Sequence, residues 1–370
     1  MRYYLIAGEA SGDLHGSNLI KSLDAEDQGA EFRFRGGDLM AKAAGIPPVA
    51  HYKDGAVMGV SDVMAKAGSL MRSLCSCKRD IATWKPDAVI LIDYPGFNLR
   101  IARFCHRKRI KVFYYIAPKT WASREGRNRQ LKRFVDRLFI VFPFEVPFFR
   151  KAGVQFSYNG NPLVDVIDTH VFKRPCEGRY LAVLPGSRKG EIERTMPVCM
   201  EVADAMGMKV IVAGAPSTTA EDYAPYIDGH RNVEVLFDRT YDVLKYADAA
   251  VINSGTASLE AVLVGTPQVV CWSTTPFTWW YANKLLKVGE HVNFISLGNL
   301  CLGREVFKEL IQDGFNKASV VQELHRILDD KSYRDRMLQD YGLIRDSLGG
   351  GGTAPAVARE IIAQLKSTTI

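Results

Sequence analysis

Short, continuous apolar runs recur along the chain, each followed by a turn and a stretch with helical spacing. In the first half they are YYLIA (3–7), FRF (32–34), AVILI (88–92), VFYYI (112–116) and LFIVF (138–142). Several lack the alternation of a half-exposed strand, and continuous apolar strands separated by helices predict a parallel sheet covered on both faces. The rhythm restarts at YLAVL (180–184) and continues through KVIVAGAP (209–216), VEVLF (233–237), AAVI (249–252) and PQVVCW (267–272). No residue-level repeat is visible, yet the architecture repeats, as two doubly wound α/β units in tandem. The stretch from Asn161 to Pro175 reads as linker. The expected division is therefore 1–170, 171–345 and a C-terminal helix within 346–370, placed to pack back on the first domain. GGGGT (349–353) stops one helix and PAVAREIIAQL starts the next.

One helical stretch, VMAKAGSLMRSLCSCKRDI (63–81), carries an apolar stripe at Val63, Ala67, Leu70, Leu74, Cys77 and Ile81, widened by Met64 and Met71. Two readings stay open. The stripe packs on the sheet, or the helix lies on a membrane surface and turns Val63, Met64, Leu70, Met71 and Arg72 towards it.

Composition changes this picture little, and charge changes it more. The 370 residues suffice for two cores, and 47% hydrophobic with 24% charged content is ordinary for a globular protein. No apolar run approaches the roughly 20 residues of a membrane span, and the short apolar N-terminus does not read as a signal peptide. Seven scattered cysteines, with Cys75 and Cys77 as CxC and no neighbouring histidine, read as reduced thiols in the cytosol and not as a metal site. The net charge of +7 is unevenly spread, since Arg100 to Arg137 holds thirteen Lys or Arg against Glu125 and Asp136. Such a segment attracts lipid headgroups, nucleic acid or a phosphorylated substrate, or else forms an ordinary solvated helix face.

The candidate chemistry begins with exclusions. The opening GEASGD (8–13) follows a strand and enters a helix, but its glycines do not form GxGxxG and no GK[ST] follows. Dinucleotide and P-loop chemistry therefore fall away. No GxSxG or HExxH occurs. The second unit suits a diphosphate better. In VLPGSRKGE, Pro185 and Gly186 turn the chain, and Ser187 and Arg188 stand at a helix start with free amides expected. In INSGTASLE, Ser254, Gly255 and Thr256 lead into another helix. Glu260, one turn in, either bridges ribose hydroxyls or merely complements the helix dipole while Ser254 caps the helix. In the first unit, Asp93 of LIDYPGFN sits just past a strand, at the rim where open α/β sheets bind ligands. There it serves as a general base or a helix cap.

AGEASGD, LIDYPGFN, PKTWASR, LPGSRKGEIE, SGTASLE, PFTWWYANKLLK and SLGNLCLGRE together resemble, in order and spacing, the lipid-A-disaccharide synthases, over residues 1 to about 365. The resemblance implies a GT-B inverting glycosyltransferase: two Rossmann-like parallel-sheet domains facing each other across a cleft, with no cofactor or metal. It implies UDP-2,3-diacylglucosamine as donor, 2,3-diacylglucosamine 1-phosphate as acceptor, and the β-1,6-linked disaccharide phosphate of lipid A biosynthesis as product. By the same resemblance UDP is held by Gly186, Ser187, Arg188, Ser254, Gly255, Thr256 and Glu260, with Asn299 and Arg304 nearby. Asp93 is the base, and Ser11, Glu9, Asp13 and Asn98 line the acceptor loop. Whether Glu9 and Asp13 touch substrate or brace the loop stays open. The enzyme is expected on the cytoplasmic face of the inner membrane, bound peripherally to its anionic surface without nucleic acid, and a homodimer stays open.

Three departures from the family pattern stand out. Tyr94 and Gly96 replace the Ala and second Asp of IDAPDFN. APKTWASR replaces SPSVWAWR, with Ser123 in place of a Trp. GNPL at Asn161 replaces GHPL. Two rival readings are another UDP-sugar GT-B enzyme, such as a UDP-N-acetylglucosamine epimerase or glycosyltransferase, and a non-catalytic nucleic-acid binder using the basic segment.

Overall fold

The structure, a computed structural model, describes residues 1–55, 63–121, 125–275 and 294–367. They form two compact units, Met1–Pro162 with Gly351–Ile370, and Leu163–Gly350. The change of unit thus falls at 162/163, ahead of the 170/171 boundary expected from the linker-like composition.

In the first unit the elements alternate as β1 (Arg2–Ala7), α1 (Ala10–Glu26), β2 (Glu31–Gly36), α2 (Asp38–Ala44), β3 (Ala50–His51), α3 (Val63–Trp84), β4 (Ala88–Ile92), α4 (Pro95–Arg107), β5 (Lys111–Tyr115), α5 (Asn128–Phe134), β6 (Arg137–Ile140), α6 (Glu145–Ala152) and β7 (Phe156–Tyr158). All seven strands are parallel, in the order β3-β2-β1-β4-β5-β6-β7. Every residue of β4 is fully buried, as a strand covered on both faces requires. β3 and β7, of two and three residues, are the edges; too short and too exposed to show an apolar run, they are absent from the sequence reading. The final helix, α15 (Thr353–Lys366), belongs to this unit and packs on α1. Arg359 pairs with Glu26 at 3.0 Å, and Glu360 accepts from Ser157 at 2.5 Å.

The second unit runs α7 (Pro162–Asp168), β8 (Tyr180–Leu184), α8 (Lys189–Met206), β9 (Lys209–Gly214), α9 (Ala220–Ile227), β10 (Val233–Phe237), α10 (Thr240–Lys245), β11 (Ala249–Asn253), α11 (Thr256–Val264) and β12 (Gln268–Trp272). It continues with α12 (Leu297–Leu302), β13 (Glu309–Ile311), α13 (Lys317–Asp329) and α14 (Lys331–Ser347). Its six strands are again all parallel, in the order β10-β9-β8-β11-β12-β13.

Both sheets reverse their winding once, between β1 and β4 and between β8 and β11. In an open parallel sheet the crevice beyond the carboxyl ends of the strands at such a reversal is where ligands bind. GEASGD follows β1 and DYPGFN follows β4; PGSRKGE follows β8 and NSGTASLE follows β11. The four motifs singled out by spacing therefore flank the two switch points.

Helix α3 resolves its stripe in favour of the sheet. Leu74, Cys77 and Ile81 are buried in the core, and Leu70 packs against it, so the expectation of a membrane-facing Leu70 is corrected. Met71 and Arg72 face solvent, Met71 at 59% exposure. Val63 and Met64 belong to this helix, but their side chains lie outside the described residues. So do Ser123 and the PFTWWYANKLLK motif. Among the described residues no helix is long and apolar enough to cross a membrane.

Candidate active site

The switch point of the first unit is built around Asp93. Its amide donates to the carbonyl of Tyr115 at 3.1 Å, so the residue continues the β4–β5 ladder by one step. The chain then turns sharply. Asp93 and Tyr94 both take left-handed backbone angles (φ 42° and 47°), and Ile116, one residue past β5, does the same (φ 64°). Such conformations cost non-glycine residues about 1–3 kcal/mol each and persist only where surrounding structure imposes them. Pro95, with its fixed φ, then opens α4 at its first position.

The Asp93 carboxyl is pushed up to about 6, first by burial and then by the negative charge of Glu9; Lys119 and the Tyr94 amide pull the other way. A carboxylate raised to this degree is ionised at neutral pH yet basic enough to take a proton.

The GEASGD loop adjoins it. A Cβ on Gly8 would stand 2.4 Å from the Tyr94 ring, so only glycine permits this close approach. Ser11 is exposed and donates to the Glu9 carboxylate at 2.9 Å. Asp13 is buried and accepts from the amides of Gly37, Leu39 and Met40 at 2.7, 3.0 and 3.1 Å. It caps α2 from outside, and its carboxylate is spent on the fold. Of the two acids left open, Asp13 braces the loop, and Glu9 stays exposed with its charge acting on Asp93. Asn98 is likewise fully buried. Its Nδ2 donates to the carbonyls of Asp93 (2.7 Å) and Ile92 (3.2 Å), so it shapes the turn from below. Asn161 is buried and donates to the carbonyl of Val141 at 3.0 Å.

Spacing alone missed Glu145. It is 1% exposed, accepts from the amides of Val141 and Phe142 at 3.1 Å each, and is pushed up to about 7 by burial against the pull of those two bonds. In the same segment Phe142 stacks on Phe144, and Trp121 meets Phe144 edge-on at 5.0 Å.

In the second unit, α8 begins differently from expectation. The amides of Ser187 and Arg188 are not free, because both donate to Glu191 Oε2 at 2.9 and 3.3 Å. Arg188 also pairs with Glu191 Oε1 at 2.9 Å. Glu191, three residues into the turn, thus caps the start of α8 from within, while its own amide closes on the Arg188 carbonyl at 2.8 Å. The Arg188 side chain is 80% exposed. Gly186 holds φ 113°, and a Cβ there would lie 2.5 Å from Glu191 Oε2 and 2.6 Å from Asn253 Nδ2.

Helix α11 carries no side-chain cap among the described residues, and its N-cap is Gly255 rather than Ser254. The Ser254 hydroxyl donates to the carbonyl of Ile295 at 3.2 Å, and Thr256 is exposed. The Ser258 amide closes on the Gly255 carbonyl at 3.3 Å, and no described side chain caps the first turn, whereas the start of α8 is capped by Glu191. Glu260 is half-buried and pushed up to about 7 by desolvation, with Tyr241 donating to it at 3.4 Å.

Asn299 and Arg304 are held elsewhere. Asn299 is fully buried, donating to Phe307 O and Glu309 Oε1 and accepting from the amides of Val306 and Phe307. With its hydrogen bonds committed it sets the course of the GRE segment and has no face left for a nucleotide. Arg304 forms a two-pronged pair with Asp340 of α14 at 2.6 and 2.5 Å.

Two Rossmann-like units, each with its chemistry at the carboxyl ends of its strands, define a GT-B-type fold. Solved structures share it at low sequence identity. The S. aureus MnaA-UDP co-structure superposes with TM-score 0.71 at 15% identity, covering 99% of this chain and 97% of the other. A Methanocaldococcus jannaschii UDP-GlcNAc 2-epimerase in complex with UDP-GlcNAc and UDP gives 0.64 at 14%, covering 98% and 100%. The calicheamicin glycosyltransferase CalG4 gives 0.60 at 19%, covering 99% and 98%.

Sequence comparison narrows the class. Residues 3–346 match the family model described as lipid-A-disaccharide synthetase. Lipid-A-disaccharide synthases from Geobacter metallireducens and Myxococcus xanthus are 38% and 36% identical, each over 98% of this chain and 97% of the relative. The chain belongs to the lipid-A-disaccharide synthase family, hexosyltransferases of lipid A biosynthesis.

Proposed function

We propose that this chain transfers the 2,3-diacylglucosaminyl group of its UDP derivative to the 6-hydroxyl of 2,3-diacylglucosamine 1-phosphate, releasing UDP. The observation that carries the reading is Asp93, a half-buried carboxylate of raised basicity at the switch point of the first unit. It takes the proton of the 6-hydroxyl as that oxygen attacks the donor's anomeric carbon from the face opposite the diphosphate. The configuration at that carbon inverts. The second unit binds UDP, with the uncapped start of α11 and the exposed Arg188 guanidinium meeting the charge that grows on the leaving diphosphate. Glu260 accepts from the ribose hydroxyls. Asn299 acts as a brace, and Arg304 reaches no nucleotide while Asp340 holds it.

Purified chain supplied with both lipids should yield UDP and disaccharide phosphate in equal amounts. Turnover of UDP-N-acetylglucosamine alone, with neither lipid consumed, would contradict the assignment.

Both substrates bear acyl chains and negative charge, which supports docking on an anionic membrane surface. Helices α3, α4 and α5 pack side by side. Exposed on them are Met71 and Arg72 of α3, Arg103 and Arg107 of α4, and Arg129 and Lys132 of α5. Vesicles containing anionic lipid should float the native chain and fail to float a variant with those last four charges reversed. Equal flotation of the two would count against this surface.

A further inference from the structure

We propose that Tyr114 and Asn98 are positioning residues that act on Asp93 through its main chain. Their buried donors converge on the Asp93 carbonyl and hold the left-handed turn that sets the direction of its carboxylate.

The inference rests on reading Asp93 as the base. It starts from a conformational problem. A single aspartate in the left-handed region is tolerable, but a tyrosine following it in the same region is not a local preference of the chain. The turn therefore needs restraint from outside its own sequence. The Asp93 carbonyl receives the Tyr114 hydroxyl at 2.6 Å and Asn98 Nδ2 at 2.7 Å, which occupies both of its lone pairs. Asn98 Nδ2 also reaches the carbonyl of Ile92, one residue earlier, and the Asn98 amide closes on the carbonyl of Tyr94, one residue later. Every carbonyl from the end of β4 through the turn is thus fastened by Asn98, Tyr114 or the first turn of α4. Strand register makes this possible. Tyr114 lies opposite Leu91 in the β4–β5 pair, so its ring runs beneath the end of β4.

The chemistry of Tyr114 argues the same way. It stands fully buried in an apolar strand, where phenylalanine would pack as well without a hydroxyl to desolvate. Its hydroxyl donates to the main chain of the candidate base at 2.6 Å. Neither Tyr114 nor Asn98 needs to touch substrate, because displacing a base by about 1 Å is enough to cost roughly a hundredfold in rate.

Tyr114→Phe removes the donor and keeps the ring. The expected result is a kcat lowered by roughly tenfold or more, KM for both lipids within about twofold, and unchanged UDP affinity. The decisive comparison repeats the substitution in an Asp93→Asn background. A residue acting through Asp93 has nothing left to position there, so the second change should cost less than about twofold. Asn98→Ala should behave alike, and carries the same comparison should Tyr114→Phe fail to fold. Loss by the same factor in both backgrounds, or an unchanged kcat in the Asp93 parent, would overturn the positioning role. Near-native turnover by Asp93→Asn alone would instead overturn the reading of Asp93 as base.

Discussion

Asp93→Asn should lower kcat by about a thousandfold while leaving UDP affinity intact and making the protein more stable at pH 8. The rate effect follows from the role, since a positioned general base contributes roughly 10²- to 10⁴-fold. Asparagine keeps the size of the side chain and tolerates a left-handed backbone, so the turn survives. The stability effect follows from linkage. The native carboxyl sits at about 6 because of burial and Glu9, whereas an unfolded aspartate titrates near 3.9. Between those values the native state holds a proton that the unfolded chain has released. Stability is therefore greater at the acid end and falls as pH rises through that window. At pH 8 the ionised group costs the fold up to about 3 kcal/mol, which the amide removes. Glu145 and Glu260 are raised in the same direction, so the difference between parent and variant, not the parent's own curve, isolates Asp93. Urea titrations at pH 5 and pH 8 measure it. A variant less stable than its parent at pH 8 would contradict the buried, raised carboxylate. Parent kcat/KM should also drop about tenfold per pH unit below 6.

Gly186→Ala carries the second large effect, on donor binding. The new Cβ meets three atoms closer than 3 Å, two of Glu191 and one of Asn253, on a backbone at φ 113°, a conformation L-residues rarely adopt. Relief requires both Glu191 and Asn253 to move, which undoes the Glu191 cap on the amides of Ser187 and Arg188. The expected outcome is a loss of about 3 kcal/mol in stability and a UDP affinity more than tenfold weaker, read by urea titration and calorimetry. Gly207→Ala is the matched control. It lies at the other end of the same helix with φ 61° and no atom within 4 Å. It should cost about 1 kcal/mol and leave UDP affinity unchanged. Equal losses of affinity in the two variants would detach the PGSR turn from nucleotide binding.

The long buried strands were legible in the sequence because a two-faced sheet demands unbroken apolar runs, and AVILI and YLAVL are such runs. The short edges β3, β7 and β13 were not, since a half-exposed strand of two or three residues leaves no pattern. The motifs also stood where a parallel sheet binds ligands, since each followed an apolar run directly. What spacing could not reveal was which polar groups the fold consumes. Asp13 is taken by amides at 37–40, and Asn299 by the segment 306–309. Neither pairing follows from composition or periodicity. Glu191 belongs with them, because the amides of Ser187 and Arg188 expected to be free for a diphosphate are taken by its carboxylate. The left-handed turn at Asp93 and Tyr94 is imposed by Tyr114 and Asn98, so no local propensity foretold it.

The anomeric configuration of the new glycosidic bond, read by NMR on disaccharide made from the α-linked UDP donor, is the most direct measurement. A single displacement with Asp93 as base predicts a β linkage only. An α linkage would mean two displacements through a glycosyl-enzyme intermediate, and would contradict the role assigned to Asp93.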